Sequence, residues 1–450
     1  KKSQLKALEL SLAVTAGRIL LMRPTAQQNR QHSESEAFSL LLALCAPVRG
    51  LKLQPGSHPQ PGSKLQTCRH QQPTSPLAAR VDSFNSCVLR TLPDIIELAR
   101  KHRVSGLLYT ALAAIPEVTD ACARTPAFRS LEKDRHAGLV FRNFIFSELA
   151  RITTHLDARG ISVLPVKGLL LSKQLYGNPF TREFRDLDML CRVDDLLVLI
   201  SPMEELGYVC VHFDKDLERK DPGMQLSVLH HLVMEHPVMK LSVELHKGLF
   251  KEGIGIRAPA LPELFSRHCL LNWNGIAWQT LDPADQAAYM LYHGAGHAWS
   301  LLHWLLDTAV LLSGNTPLDL VSVAGRIREY GLETTLAAAL GICSRFFDFD
   351  IPSAFSQAAT ARSFRSIRPY RFVQRYLPAG TVPAGNFLYL CRLNFGFFPA
   401  LEPNPHPVRS VLSRFLRHWR VQSRIAHIPG PLFPFFVVFK IAGFFGKPLY

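Results

Sequence analysis

Two aspartates one residue apart, Asp186 and Asp188, stand inside the apolar run of residues 163–193, VLPVKGLLLSKQLYGNPFTREFRDLDMLCRV. If that run is a strand, alternate side chains share a face, so both carboxylates lie on one side while Leu187 and Met189 turn into the core. Carboxylates held that close repel each other, and burying either one unpaired is costly. The pair therefore suggests a bound divalent cation, with magnesium the first candidate. Upstream, residues 161–164, ISVL, form a short β-branched stretch that runs into Lys167-Gly168 and then into a helical pattern. A strand, a glycine turn and a helix in that order present backbone N–H groups and a lysine to phosphate.

Holding such a pair requires a sheet and something to cover it. Residues 161–255 alternate short strands and helices, an α/β signature, and are expected to form the catalytic core. The stretches YVCVHF, VLHHLVME and VMKLSVELH read as further strands, the last two joined through His236-Pro237. Asp194 or Asp195 is placed to cap the helix after the carboxylate strand, and Pro202 should kink it. Residues 86–160 carry apolar residues at helical spacing and read as an N-terminal helical region that braces the sheet. From Pro259 the pattern reads as helical to about Phe347, with Asp282-Pro283 as a helix start, so a helical domain is expected over 256–365. Residues 366–450 mix arginines, aromatics and prolines. Residues 1–85 read as a poorly ordered or atypical extension, because 51–76 are too rich in Pro, Gln, Ser, Gly and His to offset chain entropy. The fold class expected is α+β (mixed α/β), with a small mixed sheet between helical regions.

The 450 residues can bury a large core, and 47% apolar with 19% charged residues is ordinary for a globular protein. A net charge of +15 points to an anionic partner: a nucleotide, a phosphorylated metabolite, nucleic acid or an acidic membrane surface. Nine dispersed cysteines without Cys-x-x-Cys read as reduced thiols of a cytoplasmic protein rather than a disulfide framework or a zinc site. Lysines open the chain ahead of apolar residues, but Glu9 and Arg18 interrupt them, so export is not expected. No run reaches the ~18 apolar residues of a spanning helix. The C-terminal PLFPFFVVFKIAGFFGKPLY, preceded by Arg414, Arg417, Arg420 and Arg424, allows a weak contact with an acidic membrane; packing on the helical domain is the favoured alternative.

Lys167-Gly168, Tyr176, Pro179, Arg182 and the Asp-x-Asp pair together resemble the bacterial nucleotidyltransferase-family proteins of the DNA polymerase β superfamily. The likeness continues through MEELGY, through Val243-Glu244-Leu245-His246 and through HGAGHAWSLLHWLLDTAVLL, and covers roughly Leu89 onward. It implies a polymerase β-like core and transfer of NMP, AMP from ATP foremost, to a hydroxyl acceptor. Asp186 and Asp188 would bind two Mg2+ ions (Mn2+ a substitute), and Glu244 would hold the first of them or act as base. Lys167, the N–H of Gly168, and Arg182 or Arg185 would contact the phosphates. The acceptor is left open among a small molecule, a sugar, a peptide, a protein side chain and an RNA end.

Leu169 replaces the small residue usual after the glycine, and Pro165 removes a ladder donor from the first strand. His293 and His297 lie one helical turn apart, but the glutamate of His-Glu-x-x-His is absent, so cleft lining is expected of them rather than zinc. Asp307 could cap, pair with an arginine or approach the acceptor. Strand alternation puts His246 on the face of Glu244. Three rival readings remain: an inactive nucleotide-binding or regulatory protein, an arginine-rich nucleic-acid-binding protein, and a γ-phosphotransferase.

Overall fold

Alternating apolar residues in three stretches build the centre of a sheet. In a computed structural model of the chain, the described residues are 29–45, 76–114, 116–191, 195–211, 231–250, 256–314, 318–347, 351–361, 367–380, 389, 391–401, 430–432 and 434. They include five paired strands: β1 (Val163–Pro165), β2 (Asp186–Cys191), β3 (Val209–Val211), β4 (His231–His236) and β5 (Leu241–His246). The spatial order is β1-β2-β5-β4-β3. Only β2 and β5 run parallel; the other neighbours are antiparallel, so the sheet is mixed as expected. Pro165 sits on the edge strand β1, where a missing N–H is tolerated.

The two faces of the sheet differ in chemistry. Leu187, Met189, Val243, Leu245, Leu232 and Met234 fill one face and are buried. They pack with α5 (Pro126–Asp157) through Ile145, Leu149 and Ile152, and with α7 (Asp195–Glu205) through Leu199 and Met203. The long α5 begins at Thr125, whose side chain accepts from the N–H of Phe128, with Pro126 in the first turn. The opposite face carries Asp186 and Asp188 on β2, Ser242, Glu244 and His246 on β5, and His231 on β4. Polar residues there require a cover that leaves room for them.

Helices supply that cover. Among the described residues, α1 (Asn29–Cys45), α2 (Pro76–Lys101), α3 (Ser105–Ala113) and α4 (Pro116–Cys122) precede α5, and α6 (Gly168–Tyr176) follows β1. On the C-terminal side α8 (Leu261–Ser266), α9 (Pro283–Gly296), α10 (Leu302–Leu312), α11 (Leu320–Glu329) and α12 (Glu333–Phe347) share one core with Leu164 and Leu190 of the sheet and with α1 and α2. Asp282 caps α9 by accepting from the N–H groups of Ala284 and Asp285, as the Asp-Pro start predicts.

Two expectations need correcting. The stretch after Pro259 is not helical throughout, because β6 (Cys269–Trp273) and β7 (Ile276–Thr280) form an antiparallel hairpin. Asn274 and Gly275 at its tip both have positive φ, 51° and 74°, the signature of a tight primed turn, and Asn-Gly between apolar runs is a strong hairpin signal. Trp273 and Trp278 dock the hairpin on Phe146 of α5, at ring-centroid distances of 4.4 and 5.4 Å. Within the first 85 residues, α1 is an ordered helix whose Phe38, Leu40 and Leu41 are buried in the main core. The Pro-rich stretch up to residue 75, Asp194, His230 and the C-terminal arginines and aromatic run to 429 and beyond 434 lie outside the described residues. Among the described residues no helix is long and apolar enough to cross a membrane.

Candidate active site

The parallel pairing of β2 and β5 sets Asp188 directly opposite Glu244, and Asp186 opposite Ser242. Period-two alternation then places Asp186, Asp188, Glu244 and His246 on one face, as expected from the sequence. Asp188 is buried and is the hub: its Oδ1 accepts from Lys167 Nζ at 2.7 Å and lies 2.9 Å from His246 Nε2. The same imidazole nitrogen is 3.4 Å from Glu244 Oε2. Burial alone would raise the Asp188 carboxyl, but the Lys167 ammonium and the His246 hydrogen bond outweigh it and hold the group far below the usual carboxylate range. Asp186 goes the other way, since burial and the neighbouring Asp188 charge raise it despite Lys167. The hydrogen bond from His246 lowers Glu244 against the effect of its own burial.

Lys167 ends the turn between β1 and α6, and Gly168 starts the helix with φ at +65°. That left-handed backbone is open to glycine and strained for most other residues. Burial disfavours the Lys167 ammonium, yet Asp188 more than compensates and keeps it charged. From the helical side, Tyr289 of α9 places its ring 5.7 Å from Lys167 Nζ. Burial, then the field of Lys167, pushes His293 well below the usual histidine range, so it is neutral. His297 stacks on Trp304 and His293 meets it edge-on, at 4.3 and 5.9 Å between ring centroids. They line the helical side as a packed aromatic group, and among the described residues no third ligand joins them.

Arg182 precedes β2, is buried, and points its Nε at Asp307 Oδ2 of α10 at 2.7 Å. Tyr176 donates to the other oxygen of Asp307 at 2.7 Å. Of the three options the sequence left for Asp307, pairing with an arginine is the one observed. Arg185, one residue before β2, is exposed. Two residues enter that sequence reasoning did not assign. Tyr289 arrives through the packing of α9, which no local pattern encodes. His231 is brought in by the β4–β5 register, which sets it opposite His246, with its Nε2 4.0 Å from Glu244 Oε2.

Chemically, three carboxylates on one face offer hard oxygen ligands, and a buried ammonium stands beside them. Such a donor set fits a small divalent cation that also binds phosphate oxygens. Compared with known families, residues 91–348, more than half of the chain, match the model of a family described as uncharacterised nucleotidyltransferase. No curated protein and no solved structure matches the chain.

Proposed function

The chain belongs to that nucleotidyltransferase family and is a transferase of phosphorus-containing groups with a nucleotide substrate; from this premise we propose that it moves NMP, AMP from ATP, onto a hydroxyl acceptor with magnesium at Asp186, Asp188 and Glu244. The observation that carries the reading is the pairing of Asp188 with Glu244 across parallel strands, with Asp186 on the same face and Lys167 within 2.7 Å of Asp188. Two bound dications would neutralise the charge of the transferring phosphoryl group and acidify the attacking hydroxyl.

The residues of the chain divide the remaining work. Lys167 balances Asp188 in the free protein and meets the triphosphate, together with the N–H of Gly168 at the start of α6. Arg185 reaches the same anion from an exposed position, while Arg182 adds positive field at Asp186 and Asp188 from a site fixed by Asp307. Glu244, kept ionised by His246, would hold a metal ion or take the hydroxyl proton. Tyr289 and His293 wall the cleft from α9.

Incubation with α-labelled and γ-labelled ATP, magnesium and a cell extract tests this. Label from the α-phosphate should enter a product with the wild type and not with Asp188→Ala. Equal labelling by both proteins overturns the site assignment, and release of ADP in place of pyrophosphate makes the enzyme a γ-phosphotransferase.

A further inference from the structure

Beside the carboxylates lies a second donor set of different character. His231 of β4 and His246 of β5 face each other across an antiparallel pair, their rings 5.1 Å apart, and Glu244 stands two residues along β5 on the same face. The ligating atoms of these three residues all lie within 4.8 Å of one another. A dication with bonds of about 2.1 Å to nitrogen and oxygen needs its ligand atoms about 3.4 Å apart in tetrahedral geometry. His246 Nε2 to Glu244 Oε2 already measures 3.4 Å, and His231 Nε2 to Glu244 Oε2 measures 4.0 Å. Asp188 Oδ1 lies 2.9 Å from the same His246 Nε2 but is held by Lys167 Nζ at 2.7 Å, on the side of the aspartate pair.

We propose that His231, Glu244 and His246 bind a borderline first-row transition-metal dication such as zinc, at a place that adjoins the all-oxygen site of Asp186, Asp188 and Glu244 and shares only Glu244 with it. The donor types carry the argument. Magnesium dehydrates reluctantly and takes oxygen ligands, so two imidazoles select against it, whereas imidazole with carboxylate suits zinc, cobalt or iron. Rigidity supports it too. All three residues sit on two paired strands whose other face is closed core, so the donors are placed by backbone pairing rather than by mobile loops. Binding of this ion does not depend on the nucleotidyl-transfer reading; its position next to the acceptor hydroxyl does rest on that reading, because Glu244 is shared.

Cobalt is the probe, since it substitutes for zinc and reports nitrogen ligation in its visible spectrum. The full chain, stripped with chelator, should take up one Co2+ with a ligand-field band that zinc abolishes and excess Mg2+ does not. His231→Ala should weaken uptake by roughly a hundredfold or more, at least the loss that outer-shell partners alone can cause. His231→Gln guards against misfolding of the alanine variant and should lose the band equally. Asp186→Ala should keep it, which separates this site from the aspartate pair. Equal cobalt binding by wild type and both His231 variants, or displacement by magnesium, overturns the proposal. Transfer of α-label in magnesium alone with no cobalt uptake would sink the proposal and leave the nucleotidyl-transfer reading standing. Cobalt uptake without any α-label transfer would do the reverse.

Discussion

Arg182 and Asp307 form a buried ion pair, 2.7 Å between Nε and Oδ2, across 125 positions of sequence. It fastens the loop that enters β2 to α10, and Tyr176 at the end of α6 shares the same carboxylate. Asp307→Ala leaves the guanidinium buried without its counter-charge, which costs about 3–5 kcal/mol. Tyr176→Phe removes one hydrogen bond to a charged acceptor, worth about 1.5–3 kcal/mol. Urea unfolding should rank the variants in that order; an unchanged midpoint for Asp307→Ala would show that the pair contributes nothing.

Asp186 and Asp188 should respond differently to loss of charge. Asp186 is disfavoured as a carboxylate by burial and by Asp188, so Asp186→Asn should leave thermal stability unchanged or raised. Asp188→Asn strands Lys167 beside a neutral partner and should lower stability. Both should cut α-label transfer by roughly a thousandfold or more, the scale for groups acting on phosphoryl charge. Parallel melting and transfer assays decide it, and equal melting losses in the two variants would contradict the opposite environments described above.

His102 gives a pH prediction away from the site. Burial, then the neighbouring Lys101 charge, pushes its imidazole down to about 4. Its Nδ1 accepts from the N–H of Leu302, which joins the α2–α3 turn to the start of α10. Because the unfolded chain takes up this proton first, the contribution is whole above about pH 6.5 and is lost as pH falls toward 4, amounting to roughly 3 kcal/mol. Asn offers an acceptor oxygen near the position of Nδ1, so His102→Asn should flatten the stability curve over that range. Superimposable curves for the two proteins would refute the assignment.

At the hairpin tip, Gly275 has φ at +74°, and a Cβ there would meet nothing within 4 Å. The cost of Gly275→Ala is thus backbone strain alone, about 1–2 kcal/mol. Asn274→Gly should be near neutral, since φ at 51° suits glycine. Thermal melting of both variants checks the pair, and an Asn274→Gly loss larger than that of Gly275→Ala would rule out the primed turn.

Much of the site face was legible because alternation is a local rule. Once residues 186–191 and 241–246 are strands, the common face of Asp186 and Asp188, and that of Glu244 and His246, follow without further information. What joined those two pairs was register between strands more than fifty residues apart, and no short pattern encodes it. The same limit hid His231 and Tyr289. The β6–β7 hairpin was readable in principle from Asn274-Gly275, but the surrounding helical periodicity from Pro259 to Phe347 masked ten residues of strand. Low-complexity composition beside α1 likewise obscured a helix whose apolar face completes the core.

The divided chemistry of the sheet makes assembly of the acidic cluster inseparable from correct folding. Sliding β5 by one position against β2 would turn Glu244 and His246 into the greasy interior and push Val243 and Leu245 toward the cleft. Every mispaired chain is therefore penalised twice, by stranded charge and by wetted leucine. Quality control of the enzyme is written into the strand arithmetic itself, and a population that is folded but misassembled at its centre should not accumulate.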